Sequence, residues 1–165
     1  MQIRLASDLT YDSIVDGTGL RMVVWTQGCP HHCPGCHNPQ THDYNGGALV
    51  DIDQIADEII KYPLKNGVTL SGGEPFAQPK EILYLVKRLK DHNINIWSFS
   101  GYTFEQLLND PERREILNYL DVLVDGRFVE ELKSISLRFR GSSNQRIIDV
   151  PASLKENKVV LKEVY

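Results

Sequence analysis

All three cysteines of this 165-residue chain lie within one short segment, as Cys29, Cys33 and Cys36. An odd, clustered set is a poor framework for disulfides, whereas closely spaced thiols are typical metal ligands. The C-x3-C-x2-C spacing allows one loop to wrap a single metal centre through soft thiolate ligands. No cysteine is left over, so a second all-cysteine cluster is excluded. The rest of the chain must therefore fold as a scaffold that presents this loop.

The loop is compatible with two kinds of metal centre. Three cysteines can hold three corners of a 4Fe-4S cluster and leave one iron open to a substrate. The same cysteines can also form a closed zinc site with one histidine as fourth ligand, and the candidates are His31, His32, His37 and His42. C-x3-C is less usual than C-x2-C in zinc loops, but spacing alone leaves both centres open. Unligated structural cysteines are disfavoured, because a loop rich in proline and glycine cannot bury them as core.

The scaffold is predicted from an alternation of strand-like and helix-like segments. Apolar, β-branched runs predict strands over 20–27, 67–70, 94–99 and 121–124. Helical spacing predicts helices over 52–60, 82–89 (entered through Pro79) and 104–119 (restarting at Pro111). The end of the chain, 145–150 and 158–164, is predicted as β-structure. Both tryptophans, Trp25 and Trp97, lie inside strand patterns and are predicted to be core.

This order of elements favours a parallel sheet covered by helices. The 165 residues fall well short of the ~250 that are typical of a closed eight-stranded barrel. We therefore predict one domain over residues 1–165 that forms an incomplete, open barrel of parallel strands. Active sites in such folds collect at the carboxyl ends of the strands, so the loops that follow the strands should converge on one face.

Polar or glycine-containing loops follow several of these strands. The first is the cysteine loop; the others are Ser71-Gly72-Gly73-Glu74-Pro75, Ser98-Phe99-Ser100-Gly101-Tyr102 and Asp125-Gly126. Read from the residues alone, the glycine segment is better explained by a strand-to-helix turn, in which glycine permits positive φ and proline begins a helix. Ordinary loop and turn chemistry explains Ser100 and Asp125 equally well.

Taken together, these segments resemble the radical S-adenosylmethionine superfamily, and within it the activases of glycyl-radical enzymes. The cysteine triplet is the superfamily's signature. The other matching segments run through most of the chain: Asp16-Gly17-Thr18-Gly19-Leu20-Arg21, Ser71-Gly72-Gly73-Glu74-Pro75, Leu123-Val124-Asp125-Gly126-Arg127-Phe128 and Arg140-Gly141-Ser142-Ser143-Asn144-Gln145. The last two segments and the short length resemble the branch that acts on anaerobic ribonucleoside-triphosphate reductase. The position just before the third cysteine departs from many members, which carry an aromatic residue there; here it is Gly35.

The resemblance implies an activity, its cofactors and its partners. One 4Fe-4S cluster on Cys29, Cys33 and Cys36 would bind S-adenosylmethionine at its open iron, and one electron, for example from flavodoxin, would cleave it. The resulting 5′-deoxyadenosyl radical would take a hydrogen atom from a glycine of the large subunit of the anaerobic reductase. Two alternatives stay open: activation of another glycyl-radical enzyme such as pyruvate formate-lyase, and a non-catalytic, zinc-binding module.

The resemblance also assigns cofactor contacts residue by residue. Backbone groups of Gly35, Cys36 and His37 would hold the adenine. The turn at Gly72 and Gly73 would receive the ammonium group of the methionyl moiety, and Glu74 would either bind that group or orient the turn. Ser100 would meet the ribose or the carboxylate, and Asp125 the cofactor or a cation. Arg140, Asn144 and Arg146 would face the partner enzyme or the cofactor carboxylate, although a solvated charged face explains them nearly as well.

Composition excludes several other classes of function. The net charge of −4 gives no overall basic field for nucleic acid. No apolar run approaches the ~20 residues needed to span a bilayer, so no membrane partner is expected. The N-terminal residues lack the apolar core of a secretory signal, and we therefore expect a cytoplasmic protein.

Overall fold

The computed structural model describes residues 1–63 and 65–164, and in this part of the chain eight strands form one mixed sheet. The strands are β1 Gln2–Leu5, β2 Thr10–Ser13, β3 Arg21–Thr26, β4 Ala48–Asp51, β5 Gly67–Gly72, β6 Ile96–Phe99, β7 Val122–Asp125 and β8 Arg146–Asp149. The order across the sheet is β4-β1-β3-β5-β6-β7-β8, and β2 pairs with β3 beside this path. The sheet is therefore open, with β4 and β8 as its outer strands.

The centre of the sheet confirms the predicted parallel strands. β3, β5, β6 and β7 are parallel neighbours in chain order. Their residues are almost continuously buried, as expected for strands that are covered on both faces. Because they run in one direction, their carboxyl ends lie along the same side of the sheet, and each of the predicted functional loops begins there.

Antiparallel strands flank this centre, so the sheet is mixed rather than wholly parallel. β1 pairs antiparallel with both β3 and β4, and β2 pairs antiparallel with β3. On the other side β8 pairs antiparallel with β7, which confirms the strand predicted within 145–150. The sequence patterns predict no strand at β1, β2 or β4. These strands have only four residues each; β2 and β4 are largely exposed, and in β1 only Ile3 and Leu5 are buried, so none has the continuous apolar run that marks a buried strand.

Four α-helices accompany the strands in the described residues: α1 Ile52–Lys61, α2 Pro79–Lys90, α3 Phe104–Leu108 and α4 Val150–Glu156. The predictions of α1 and α2 are confirmed. The single helix predicted over 104–119 is wrong in its middle, because α3 ends at Leu108 and a 3-10 helix spans Arg114–Tyr119 beyond Pro111. The strand predicted over 158–164 is reduced to one bridge, between Leu161 and Ile148. None of the helices in the described part of the chain has the length and apolarity to traverse a lipid bilayer.

The helices and the loops cover opposite faces of the sheet. The main core joins apolar residues of α1, α2 and the 114–119 turn to one face, including Leu70, Ile96 and Leu123. On the other face, Trp97 and Val124 pack with Phe139 from the loop between β7 and β8. Trp97 is thus a core residue, as predicted. Among the described residues, the apolar cluster on this second face contains strand and loop residues but no helix residues.

Candidate functional site

The loops at the carboxyl ends of the parallel strands enclose one cavity of about 270 Å³. Its walls come from the cysteine loop after β3, the glycine turn after β5, the loop after β6 and the segment after β7; central lining residues are Cys29, Cys33, Cys36, Gly72, Gly73 and Ser100. The predicted convergence of these loops is therefore seen in the structure. Three thiols and a glycine turn that lie about 40 residues apart in sequence share one concave surface.

The cysteine loop has a compact backbone that brings its three thiols to this surface. Gly28 and Gly35 adopt positive φ angles of 103° and 74°, and His32 adopts 49°. The amide of Cys36 donates to the carbonyl of Cys33 over 3.1 Å, which closes a tight turn. All three cysteines are free and half-buried. Glycine adopts positive φ readily, so the loop can turn tightly at Gly28 and Gly35 and present its three thiols to the cavity.

The Cys29 thiol is half-buried in the cysteine loop. Burial raises the pKa of this thiol, while backbone N–H groups of His31 and His32 act in the opposite direction. Hydrogen bonds from backbone amides to cysteine sulfur are among the features that tune the potential of an iron–sulfur cluster. Because the thiolate is the ligand, binding of a metal centre here releases a proton.

The glycine turn lies directly beneath the start of the cysteine loop. The amide of Gly73 donates to the carbonyl of Thr26 over 2.9 Å, and the amide of Glu74 donates to the carbonyl of Gly28 over 2.8 Å. A Cβ atom on Gly73 would lie 2.5 Å from the carbonyl oxygen of Gly28 and 2.8 Å from that of Thr41. Glycine is therefore required at 73 for the close approach of two backbones, whereas Gly72 has a positive φ of 106°.

Glu74 is buried beside this turn, with an exposed fraction of 1%. Its Oε1 atom accepts from His31 Nε2 and from the amide of Gly101, both over 2.7 Å, and its Oε2 atom accepts from the amide of Phe76 over 3.0 Å. Ser100 Oγ lies 2.9 Å from both carboxylate oxygens. Because protein donors already occupy both oxygens, this arrangement favours the orienting role for Glu74 over direct contact with an ammonium group.

Asp125 ends β7 and is likewise used inside the protein. Its exposed fraction is 1%, and it accepts from the amide of Phe104 over 2.7 Å. Arg146 donates to it over 2.6 and 3.0 Å and also pairs with Glu105 over 2.7 Å. This carboxylate does not belong to the cavity wall among the described residues. The contacts favour a structural role, in which Asp125 joins β7, β8 and α3.

Replacement of Arg146 by alanine should lower the free energy of unfolding by about 2–3 kcal/mol, because it leaves the buried Asp125 carboxylate without its cation. Urea unfolding at neutral pH measures this loss. Arg88→Ala is the matched control, since Arg88 also pairs with two carboxylates, Asp53 and Asp57, but both of these are about half-exposed. The control should lose less than about 1 kcal/mol. Equal losses in the two variants would contradict the structural role of Asp125.

The same ion pairs predict how stability depends on pH. Arg146 lowers the pKa of Glu105 in the folded protein. A lowered folded-state pKa adds stability that is present above the ordinary pKa and is lost as the pH falls through the lowered value. The difference in stability between the protein and Arg146→Ala should therefore shrink on acidification.

The residues of the 140–145 segment mostly shape their own loop. Arg140 donates to the carbonyl of Gln145 over 2.8 Å, and Asn144 donates to the carbonyl of Arg127 over 2.9 Å. Gln145 bonds to the amides of Gly141 and Ser142 through its Oε1 and to the carbonyl of Gly126 through its Nε2. This loop supplies one wall of the cavity through Gly141 and Gln145.

Trp25, Asp16 and Gln145 are among the cavity residues that the sequence does not predict as such. Trp25 was predicted to be core, but it is only partly buried and lines the cavity, with its indole N–H donating to Thr10 over 2.7 Å. Asp16 and Gln145 also line it, and both lie in segments on which the family resemblance was based. Their position in these family-matching segments is the sequence signal that could have identified them as cavity residues. Of the predicted adenine contacts, Cys36 and His37 line the cavity, while Gly35 lies against Glu130.

The donor set of the cavity fits an iron–sulfur cluster and a polar ligand. Three free thiols from one short loop supply soft ligands. His42 Nε2 is buried without a hydrogen-bond partner among the described residues, and His42 lines the cavity. A polar group bound in the cavity would satisfy such an atom. Within residues 1–63 and 65–164, no three His, Cys, Asp or Glu side chains converge as a group that could hold a single metal ion.

Comparison with known proteins gives a consistent picture. The family model of the 4Fe-4S single cluster domain matches residues 15–148. The anaerobic ribonucleoside-triphosphate reductase-activating protein of Escherichia coli (strain K12) is 38% identical over 143 residues, which cover 80% of this chain and 90% of that protein. The protein of the same name from Haemophilus influenzae is 36% identical, and the match covers 81% of this chain and 90% of that protein. The protein of the same name from Enterobacteria phage T4 is 35% identical, and the match covers 84% of this chain and 93% of that protein. Among solved structures, QueE from Escherichia coli matches with a TM-score of 0.52 at 17% identity, over 62% of this chain and 54% of QueE, a likeness of fold.

Proposed function

The chain belongs to the family of anaerobic ribonucleoside-triphosphate reductase-activating proteins and carries a 4Fe-4S single cluster domain, and from this premise we propose that it activates anaerobic ribonucleoside-triphosphate reductase by reductive cleavage of S-adenosylmethionine. The observation that carries the proposal is the shared cavity of Cys29, Cys33, Cys36 and the glycine turn. The match to a 4Fe-4S domain favours the cluster over the zinc site that spacing left open.

The three cysteines would hold the cluster and leave one iron without a cysteine ligand, since the sequence has no fourth cysteine. When bound, such a cluster would supply the one electron needed for reductive cleavage of S-adenosylmethionine at its sulfur–C5′ bond, giving methionine and the radical that would take a hydrogen atom from a glycine of the reductase. The protein orients the cofactor and restricts access of water. The aromatic rings of Trp25, Phe99 and Phe128, which line the cavity, serve this second purpose.

The residues around the cavity suggest how the cofactor is held. An ammonium group donates hydrogen bonds, so it needs acceptors. The amide of Gly73 is a donor and bonds to Thr26, so the acceptors in the glycine turn would be its carbonyl groups. Cys36 and His37 line the same cavity and would supply backbone groups for the adenine, and Ser100 lines it from the loop after β6.

We also propose that the sheet serves as an incomplete, open barrel of the radical S-adenosylmethionine type. The support comes from the topology, because β3, β5, β6 and β7 add in chain order in one direction, as in a (βα) barrel. The helices pack on one face of these strands, as they do on the outside of such a barrel. An open side would admit a glycine loop of the large reductase subunit. The electron donor would be a small redox protein such as flavodoxin.

The proposal is tested under anaerobic conditions on the reconstituted protein. We expect about four iron and four sulfide per chain, formation of 5′-deoxyadenosine from S-adenosylmethionine with dithionite, and a glycyl-radical doublet in the electron paramagnetic resonance spectrum of anaerobic ribonucleotide reductase. Pyruvate formate-lyase in place of the reductase is the control and should give no doublet.

Two results would contradict the proposal. A doublet in pyruvate formate-lyase alone would identify a different target. A colourless protein with one zinc, no sulfide and no 5′-deoxyadenosine would show that the chain is a zinc-binding module.

A further inference from the structure

One buried polar contact joins the cysteine loop to the rest of the site. His31 Nε2 lies 2.7 Å from Glu74 Oε1, and the two side chains are 4% and 0% exposed. His31 occupies the segment between Cys29 and Cys33, in a loop whose neighbouring side chain, His32, is exposed. The contact joins two segments that lie 43 positions apart in the chain, so it helps to fix the cysteine loop against the rest of the site.

The His31 ring is fixed on several sides. It packs edge-on against Tyr102 with ring centroids 4.6 Å apart. It also fills the space above Gly101, where a Cβ atom would lie 2.4 Å from His31 Cδ2. Arg113 in turn lies over the Tyr102 ring at 5.4 Å. These contacts restrain the position of the His31 ring, and through it the backbone between Cys29 and Cys33.

Glu74 connects this ring to two other loops. The carboxylate follows the glycine turn at Gly73, and it accepts from Ser100 and Gly101 in the loop after β6. One carboxylate thus bonds to groups from the loops after three neighbouring parallel strands. A buried acceptor that loses a donor is left with an uncompensated cost of desolvation, so each of these bonds supports the others.

We propose that His31 is a positioning residue that acts through Glu74. By holding the segment between Cys29 and Cys33 against the loops after β5 and β6, it sets the location of these two thiols relative to the glycine turn. The inference deepens the proposed function and rests on it, because the geometry it fixes is that between the cluster ligands and the bed of S-adenosylmethionine. Such positioning matters, since a displacement of about 1 Å in a reacting geometry can cost roughly 100-fold in rate.

The first test needs no cluster. Hydrogen exchange of the metal-free protein, followed by mass spectrometry on peptides that cover 29–36, should rise at least about tenfold in His31→Leu and stay near the wild-type rate in His31→Gln, whose amide can still donate to Glu74. His92→Gln, which alters an exposed histidine outside the site, is the control. Unchanged exchange over 29–36 in His31→Leu would overturn the inference, whether or not the protein proves to bind a cluster.

The second test uses the reconstituted protein. His31→Leu keeps all three cysteines, so it should retain iron and sulfide but require about tenfold more S-adenosylmethionine to alter the electron paramagnetic resonance signal of the reduced cluster and to reach half-maximal cleavage. His31→Gln should restore most of this affinity. Faster exchange in His31→Leu together with a wild-type protein that binds no cluster would refute the proposed function and leave the positioning role standing.

A double-mutant cycle separates action through Glu74 from an independent effect. If His31 acts through the carboxylate, His31→Leu combined with Glu74→Gln should lose little more affinity for S-adenosylmethionine than the worse single variant. If the two losses instead multiply, the residues act independently, and the inference is wrong. That second outcome would also revive direct contact between Glu74 and the cofactor.

Discussion

Replacement of Cys33 by alanine is expected to reduce cleavage of S-adenosylmethionine to the background of an enzyme-free control. Two cysteines would remain for the cluster, and the described residues place no fourth cysteine or converging metal-ligand group nearby that could take over the lost corner. The loss should appear as low iron and sulfide after anaerobic reconstitution and as the absence of 5′-deoxyadenosine under dithionite. The glycyl-radical doublet of the partner reductase should vanish with it.

A serine at the same position distinguishes loss of a ligand from loss of packing. Cys33→Ser keeps the size of the side chain but replaces a soft thiolate with a hydroxyl, so it should fail as completely as alanine. Because Cys33 is only half-buried in its loop, both metal-free variants should unfold within about 1 kcal/mol of the metal-free wild type. Full cluster content with wild-type cleavage in either variant would refute the assignment of Cys33 as a ligand.

The parts of the fold that could be predicted are those whose signal is local. β3 and β5 are almost wholly buried runs of β-branched or apolar residues, and α1 and α2 carry apolar residues at helical spacing. The missed strands β1, β2 and β4 have only four residues each, with mixed exposure, and are strands because of their neighbours. α4 was hidden for a related reason: Pro151 and the cap on Asp149 begin a helix of only seven residues between two segments predicted as β-structure.

In the candidate site, too, the features with a local sequence signal could be predicted and those that depend on distant residues could not. The cysteine spacing and the glycine turn are local patterns, and both were recognised from the sequence. The direction of a charged side chain depends instead on partners that are distant in the chain. Glu74 bonds to His31, and Asp125 pairs with Arg146, across 43 and 21 positions. No periodicity or spacing could show that these carboxylates are turned toward the protein.

Gly73→Ala is expected to lower kcat/KM for cleavage of S-adenosylmethionine by roughly 100-fold, because the added methyl group displaces the start of the cysteine loop relative to the turn. The new Cβ atom would lie 2.5 and 2.8 Å from the carbonyl oxygens of Gly28 and Thr41. Both obstacles are backbone atoms, so no side-chain rotation relieves them. Overpacking of this kind should also cost about 1–3 kcal/mol of stability, measurable by urea unfolding of the metal-free protein.

Gly141→Ala is the matched comparison, since Gly141 lines the same cavity but faces a ring that can tilt. Its Cβ atom would meet Phe128 at 3.1 Å, a contact that a shift of a few tenths of an ångström relieves. We expect a loss of less than about threefold, as for a tolerated increase in volume. If the two alanine variants lost equal activity, general crowding of the cavity would account for both losses. The prediction that Gly73 is needed for its close approach to the cysteine loop would then be wrong. A large loss at 73 alone would mean that the reaction depends on the distance between two backbones, the one that carries the thiols and the one that we propose receives the cofactor.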